Sequence, residues 1–338
     1  MRLKLPGLDP FLLFLIGVVA LASVLPCRGE GAVVFGWITN AAITLLFFLH
    51  GAKLSREAIL AGVGHWRLHL LVALSTFVLF PALGLLIRFA GQGWIDPRNH
   101  LLDGLLFLCL LPSTVQSSIA FTSIAKGNVP AAVCSATLSN VAGVFITPVM
   151  VGVTMGALAK GGHGGIDLHS IESIALQLLL PFILGHLSRP LTTAFITRHK
   201  TLVGRVDRSS ILLVVYTAFS AAVVEGLWKR LSAADIALVL VLDGLLLGLA
   251  LLITTAASRL LRFNKADEIA IVFCGSKKSL ASGVPMASVL FPPALVGPLI
   301  VPLMLFHQMQ LMVCAVMARR YAAGFEAEAA LDAAPAEA

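Results

Sequence analysis

Two consecutive lysines, Lys277 and Lys278, stand within the apolar run EIAIVFCGSKKSLASGVPMASVLF, eight or more residues from either end. A lysine near the centre of a bilayer costs at least about 2.5–3.5 kcal/mol on insertion scales, so at least one of the pair is expected to be functional or internally paired. Snorkelling to an interface is the structural alternative, and the distance to both ends of the run weighs against it. Consecutive residues of a regular helix point about 100° apart, so one site receives both only where the backbone is broken, as Gly275 and Ser276 permit. Lys278 is the stronger candidate, because Ser279-Leu280-Ala281 resumes the apolar helix directly after it.

A second apolar run, LLFLCLLPSTVQSSIAFTSIAKGN, is interrupted in the same manner. Pro112 removes an amide donor, and Ser113, Thr114, Gln116, Ser117 and Ser118 supply short-range partners. A half-helix starting near Ser117 presents free N–H groups and the positive end of its dipole, which favours an anion. The hydroxyls and unwound carbonyls suit a small cation equally, and a Pro kink braced by Ser and Thr is the purely structural alternative. Other polar groups lie in apolar runs. Asp243, before Gly244 and Gly248, whose small-xxx-small spacing predicts close helix packing, is expected to pair with Lys277 or Lys278 or else to meet water near a helix end. His307, Gln308 and Gln310 need hydrogen-bond partners in a dry bundle, with a structural role ahead of substrate contact.

The elements that carry these residues follow from composition. Of 338 residues, 58% are apolar and 12% charged, against about 25% charged in an average soluble domain. So little charge cannot coat a soluble surface, and disorder is excluded by the same figures. Ten apolar stretches run at about 8–26, 33–50, 68–90, 101–125, 128–158, 171–187, 209–227, 234–258, 266–291 and 294–318, and they read as transmembrane helices. The first has the basic flank of a signal peptide, but Pro26 before Cys27 spoils a lipoprotein site and nine further stretches follow, so it counts as a span. With the N-terminus inside, 16 of the 24 Lys and Arg fall on inner segments and 6 on outer loops, Lys160 among the latter. The remaining two are Lys277 and Lys278. That bias obeys the positive-inside rule and predicts cytoplasmic termini. The acidic, Ala-rich tail from 319 to 338 is expected to be disordered. The net charge of +7 is explained by topology rather than by nucleic acid, since no basic stretch interleaved with aromatics occurs. The five cysteines have no metal-ligand spacing, and no metal or cofactor is expected.

Ten spans divide into two fives, and an odd number in each half requires any repeat between them to be inverted. The interrupted runs are the fourth of each five. Corresponding broken helices are the best sequence pointer to a transporter binding site.

The segments PSTVQSSIAFTSIAKGNVPAA, TLSNVAGVFITP, CGSKKSLASGVPM and FFLHGAKLSREAIL resemble the bile acid:sodium symporter-like family (solute carrier family 10 type), in its branch of sodium-dependent transporters. The resemblance implies an all-α membrane protein of ten transmembrane helices in two inverted five-helix repeats, with helices 4 and 9 broken where they cross. Panel helices 1–2 would occupy 1–67 and helices 6–7 171–227. Core helices 3–5 would occupy 68–158 and helices 8–10 234–318. Substrate would sit between core and panel, its binding residues drawn from Ser113, Thr114, Gln116, Ser117, Ser118, Ser276, Lys277, Lys278 and Ser279.

One departure matters. Sodium-coupled relatives carry a Glu followed closely by Gln in helix 9, whereas this chain has FCGSKKS and no acidic residue between Glu268 and Glu326. The helix 5 Ser and Thr ligands of those relatives meet Ala132 and Ala136; Ser135, Thr137, Ser139 and Asn140 substitute only in a different register. Exchanging a carboxylate for an ammonium repels Na⁺. Lys278 is therefore read as a tethered cation in the space of one sodium ion, leaving Na⁺ or H⁺ as coupling ion undecided at this stage.

The leading function is secondary transport of a small organic anion through a membrane, with lipid as the surrounding partner and a bacterial inner membrane as the location. A sensor that binds the anion without translocating it is the alternative. An intramembrane Ser–Lys enzyme built from Ser276 or Ser279 with Lys278 is disfavoured, because neighbours on a helix seldom reach each other.

Overall fold

An apolar chain in lipid has no water to satisfy its peptide groups, so its segments must close their own hydrogen bonds as helices. The computed structural model describes residues 10–53, 65–156, 158 and 168–332, and it is all-α, with no strand among them. Arg2, Lys4, Arg56 and Lys160, which entered the charge count, lie outside the described residues.

The order is α1 (Pro10–Val24), α2 (Glu30–Lys53), α3 (Trp66–Leu74), a π-helical turn (Ser75–Leu79) and α4 (Phe80–Ala90). Next come α5 (Leu101–Leu110), α6 (Gln116–Ile124), α7 (Val129–Met155), α8 (Leu168–Leu187), α9 (Arg189–Arg198) and α10 (Lys200–Val224). The chain continues through α11 (Leu227–Arg230), α12 (Ala233–Leu260), α13 (Lys265–Gly275), α14 (Leu280–Leu290) and α15 (Pro293–Asp332). Side-chain caps fix several starts: Asn128 accepts from Ala131 N–H, Ser232 and Asp235 form a capping box, and Asn264 accepts from Asp267 N–H.

Among the described residues six helices are long and apolar enough to cross a membrane, and a seventh counts if Leu178–Leu187 and Arg189–Arg198 are taken as one span bent by 86°. The fold is that of an all-α integral membrane protein. Each of the ten apolar stretches carries a helix or an interrupted pair of helices. The fourth and ninth are the pairs α5/α6 and α13/α14, whose halves are only 9 to 11 residues long. Large apolar side chains such as Trp37 and Phe89, each 74% exposed, face outward, as a lipid-facing surface requires.

Three expectations are corrected. The seventh stretch, placed at 209–227, begins at Lys200, so the basic residues 200–208 are helical rather than a loop. Helix α15 continues to Asp332 through the segment predicted to be disordered, where a run of alanines sustains helix propensity. Gly244 and Gly248 are not a packing seam, since a side chain at Gly248 would meet nothing within 4 Å. The close helix crossing lies elsewhere, between α2 and α8. A Cβ on Gly51 would run into the Phe182 carbonyl, and one on Gly185 into the Phe48 carbonyl.

Gly51→Leu and Gly185→Leu are therefore expected to cost about 3 kcal/mol or more, at or beyond the top of the usual overpacking range. Gly248→Ala is expected to be neutral or slightly stabilising. Thermal unfolding of the detergent-solubilised variants checks both.

Candidate functional site

The two breaks meet. Ser279 N–H donates to the Pro112 carbonyl at 2.9 Å, the Ser113 hydroxyl to Cys274 O at 2.5 Å, and the Ser118 hydroxyl to Phe273 O at 2.9 Å. Interrupting α5/α6 removes donors from a row of carbonyls, and in a dry bundle each needs a replacement. Thr147 Oγ1 donates to Leu110 O at 2.8 Å and Asn140 Nδ2 to Ser113 O at 2.7 Å. Ser139 Oγ in turn accepts from Ser113 N–H at 3.0 Å. On the other side of the junction, the Ser75 hydroxyl donates to Gly275 O at 2.7 Å.

Cys109 O and Leu111 O are filled by Lys278. Its ammonium is fully buried and donates to Leu111 O at 2.7 Å, Cys109 O at 2.8 Å and Thr76 O at 2.9 Å, with the Phe80 ring 4.2 Å away. Three donors meet three acceptors, so the group is saturated. Thr76 O is open for a local reason. In the π-turn Phe80 N–H goes to Ser75 O, and the next residue, Pro81, has no N–H to give. The lysine thus joins three elements, and the backbone of its own residue is clamped. Gln310 Oε1 accepts from Lys278 N–H and Gln310 Nε2 donates to Lys278 O, both at 2.9 Å.

Lys277 goes a different way. It is fully buried, with its Nζ 4.5 Å from the Phe121 ring centroid and 5.3 Å from that of Phe273. It has no hydrogen-bond partner among the described residues. Asp243 is fully buried in α12, and neither of its carboxylate oxygens has a partner among the described residues. The expected ion pair with Lys277 or Lys278 is therefore not made, because carbonyls hold one ammonium and aromatic faces the other. The Ser–Lys dyad is likewise not assembled: the Ser276 hydroxyl donates to Val272 O at 2.6 Å and that of Ser279 to Ser282 Oγ at 3.1 Å.

Beside the junction lies a cavity of about 660 Å³. Of the residues singled out in the sequence, Thr114, Gln116, Ser117, Thr137, Asn140, Ser279 and His307 line it. Ser113, Ser118, Ser276, Lys277 and Lys278 are buried behind that lining, and neither Asp243 nor Gln308 contributes to it. Helix α6 begins at the cavity without a side-chain cap, and α14 begins there at Ser279. Phe47, Val144, Phe182, Ile211 and Met286 form apolar wall. The sequence reading missed the basic part: His50 and Lys53 from the end of α2, and Lys200, Arg205 and Arg208 from the start of α10. Asp207 is the acidic residue of this lining and is paired with Lys53. These cations were legible only as topology markers, since nothing local announces that α10 extends them along a cavity.

Comparison with known proteins gives a consistent outcome. A family model described as the SBF-like CPA transporter family (DUF4137) matches residues 9–323. The chain is 58% identical over 314 residues to "Uncharacterized protein PA2026" of Pseudomonas aeruginosa, covering 93% of each chain. It is 55% identical over 314 residues to "Putative symporter YfeH" of Escherichia coli K12, again over 93% of each. To "Sodium/bile acid cotransporter 7-B" of Xenopus laevis it is 28% identical over 315 residues, 91% of this chain and 90% of the other.

The two lysines are expected to respond oppositely to removal of charge. Lys278→Met orphans three buried acceptors at about 1–3 kcal/mol each, so a loss of about 3 kcal/mol or more is expected. Lys277→Met removes a buried charge that makes no hydrogen bond and is expected to be neutral or stabilising. Thermal midpoints measured side by side decide this.

Proposed function

The chain belongs to the SBF-like CPA transporter family, and on that premise we propose that it is a secondary transporter of a small organic anion working by alternating access. It is a transporter of the bile acid:sodium symporter type, a non-enzymatic, multi-pass integral membrane protein. The finer reading rests on one observation, the cavity that combines two half-helix starts, a strip of apolar wall and an excess of basic side chains. Half-helix N-termini and cations both favour negative charge, and the apolar wall suits a hydrophobic body.

In this reading the ten stretches are ten spans in two inverted repeats. Helices α3 to α7 and α12 to α15 act as the core, and α1, α2, α8 and α10 as the panel that rocks against it. Both termini are cytoplasmic and the membrane is a bacterial inner membrane. Packing of α1 and α2 on α10, and of α2 on α8, supports the panel grouping. Lys53, Lys200, Arg205 and Arg208 count among the inner positive charges, so the cavity is taken as open to the cytoplasm.

Sodium is not the coupling ion in this reading. What supports this is the ammonium of Lys278 seated on three backbone carbonyls at the junction of the breaks, a cationic position that needs no external ion. The name of the Xenopus relative pairs sodium with bile acid, and the absence of an acidic residue between Glu268 and Glu326, across the break of helix 9, separates this chain from that chemistry.

Two measurements test the proposal. Thermal stability of the purified protein in NaCl is expected to match that in KCl and choline chloride at equal ionic strength. A saturable, Na⁺-specific rise reports a ligand bound to the folded state and overturns the sodium assignment. Counterflow in proteoliposomes preloaded with taurocholate, a sulfonate with an apolar body, is expected to accumulate labelled anion. Arg205→Glu together with Arg208→Glu is expected to lower uptake about tenfold, as removal of charged hydrogen-bond donors does. Binding without exchange would make the protein a sensor.

A further inference from the structure

Gln310 has one amide orientation that fits. Lys278 N–H only donates, so Oε1 must face it, and the Lys278 carbonyl only accepts, so Nε2 must face that. The second hydrogen of Nε2 then lies toward His307 Nδ1, 2.8 Å away. The His307 Nδ1 therefore accepts, and the neutral ring carries its proton on Nε2. The two residues differ in access. Gln310 is fully buried, whereas His307 is half-buried and lines the cavity.

We propose that His307 is a proton-binding site, reached from the cavity, whose occupation releases the Gln310 clamp on Lys278. Its use in coupling rests on the transporter reading; its existence does not. A proton arriving from cavity water at Nδ1 turns the ring into a double donor and sets an N–H against the Gln310 NH₂. Flipping the amide to offer Oε1 to the ring sets Nε2 against Lys278 N–H and Oε1 against Lys278 O. A proton on Nδ1 and the complete clamp are mutually exclusive. The clamp holds the backbone of the residue whose side chain ties the π-turn to the end of α5, so its release loosens the point where both breaks are joined.

The surroundings link this proton to an anion. Of the elements packed on α15, α10 carries Lys200, Arg205, Asp207, Arg208 and Tyr216, α12 carries Asp235, Asp243 and Arg259, α5 carries Asp103 and Cys109, the break before α14 carries Lys277 and Lys278, and α6 and α14 carry no titratable group. Across the cavity α2 adds His50 and Lys53, the latter paired with Asp207. The cavity lining is net basic and opposes a further positive charge. An anion entering it offsets that repulsion, so anion and proton favour each other's binding, and the proton is the coupling ion.

Hydrogen–deuterium exchange read by mass spectrometry tests this without any substrate. The full chain in detergent is compared at about pH 8 and about pH 5.5, either side of the ordinary histidine value of about 6.5, with intrinsic rates corrected. The peptide spanning Ser276–Leu280 is expected to lose protection by about tenfold on acidification, as loss of a buried hydrogen bond implies. In His307→Asn, whose side-chain oxygen accepts from Gln310 without titrating, protection is expected not to depend on pH; His307→Gln serves if that variant is poorly folded. Gln310→Ala is expected to be poorly protected at both values. Wild-type protection that ignores pH, a pH dependence that survives both His307 variants, or full protection in Gln310→Ala overturns the proposal. Failed counterflow would overturn the transport reading and leave this result standing.

Discussion

Everything at the centre of this molecule follows from the need to satisfy backbone groups in a medium without water. Breaking two helices opens two rows of carbonyls at the middle of the bundle, and each carbonyl there is a liability of a few kcal/mol unless a donor reaches it. The chain answers mainly with short hydroxyl and amide side chains from the π-turn, the α5/α6 break, α6 and α7. The acceptors beyond their reach are met by a four-carbon stem ending in three donors. Lys278 is long enough to gather the carbonyls of Thr76, in the π-turn, and of Cys109 and Leu111, at the end of α5. One cation thereby holds together pieces that are not continuous in sequence.

This arrangement separates the junction from the cavity beside it. The lysines that draw attention in the sequence are sealed behind the cavity lining, whereas the groups that face the cavity are half-helix starts and basic residues at helix ends. Adjacent positions 277 and 278 reach unlike environments because the backbone between α13 and α14 is not helical. One meets aromatic faces and the other carbonyl oxygens, and neither environment contains a carboxylate. Asp243 confirms the point from the other side, since it is buried on α12 with no ion pair to either lysine.

The breaks themselves were legible, because Pro112 and the Gly275-Ser276 pair mark lost donors and because two lysines in an apolar run have few places to go. The helix start expected near Ser117 falls at Gln116. The partners were less legible. Gln310 was recognised as needing a hydrogen bond, but its clamp spans 32 positions and no local pattern encodes it. The acceptor on Thr76 left a trace in Pro81, whose missing N–H frees a carbonyl upstream, yet a proline near a helix start reads first as an ordinary N-terminal residue. The basic residues of α10 were assigned to an inner segment between spans because their charge put the start of the apolar stretch nine positions too late.

The π-turn at Ser75–Leu79 has a consequence for length as well as for bonding. A π-turn holds one residue more than the α-helix it interrupts, so it acts as a one-residue phase shift of about 100° between α3 and α4. Ile87 is buried, and the next position, Arg88, reaches Asp103 at 2.9 Å. Deleting a single residue within 75–79 would therefore close the turn into a continuous α-helix and leave α3 and α4 in their present mutual orientation, with Ile87 still buried and Arg88 still on Asp103. The extra residue shows instead in the sequence, where the apolar periodicity is displaced by one position between α3 and α4 although the two helices continue each other.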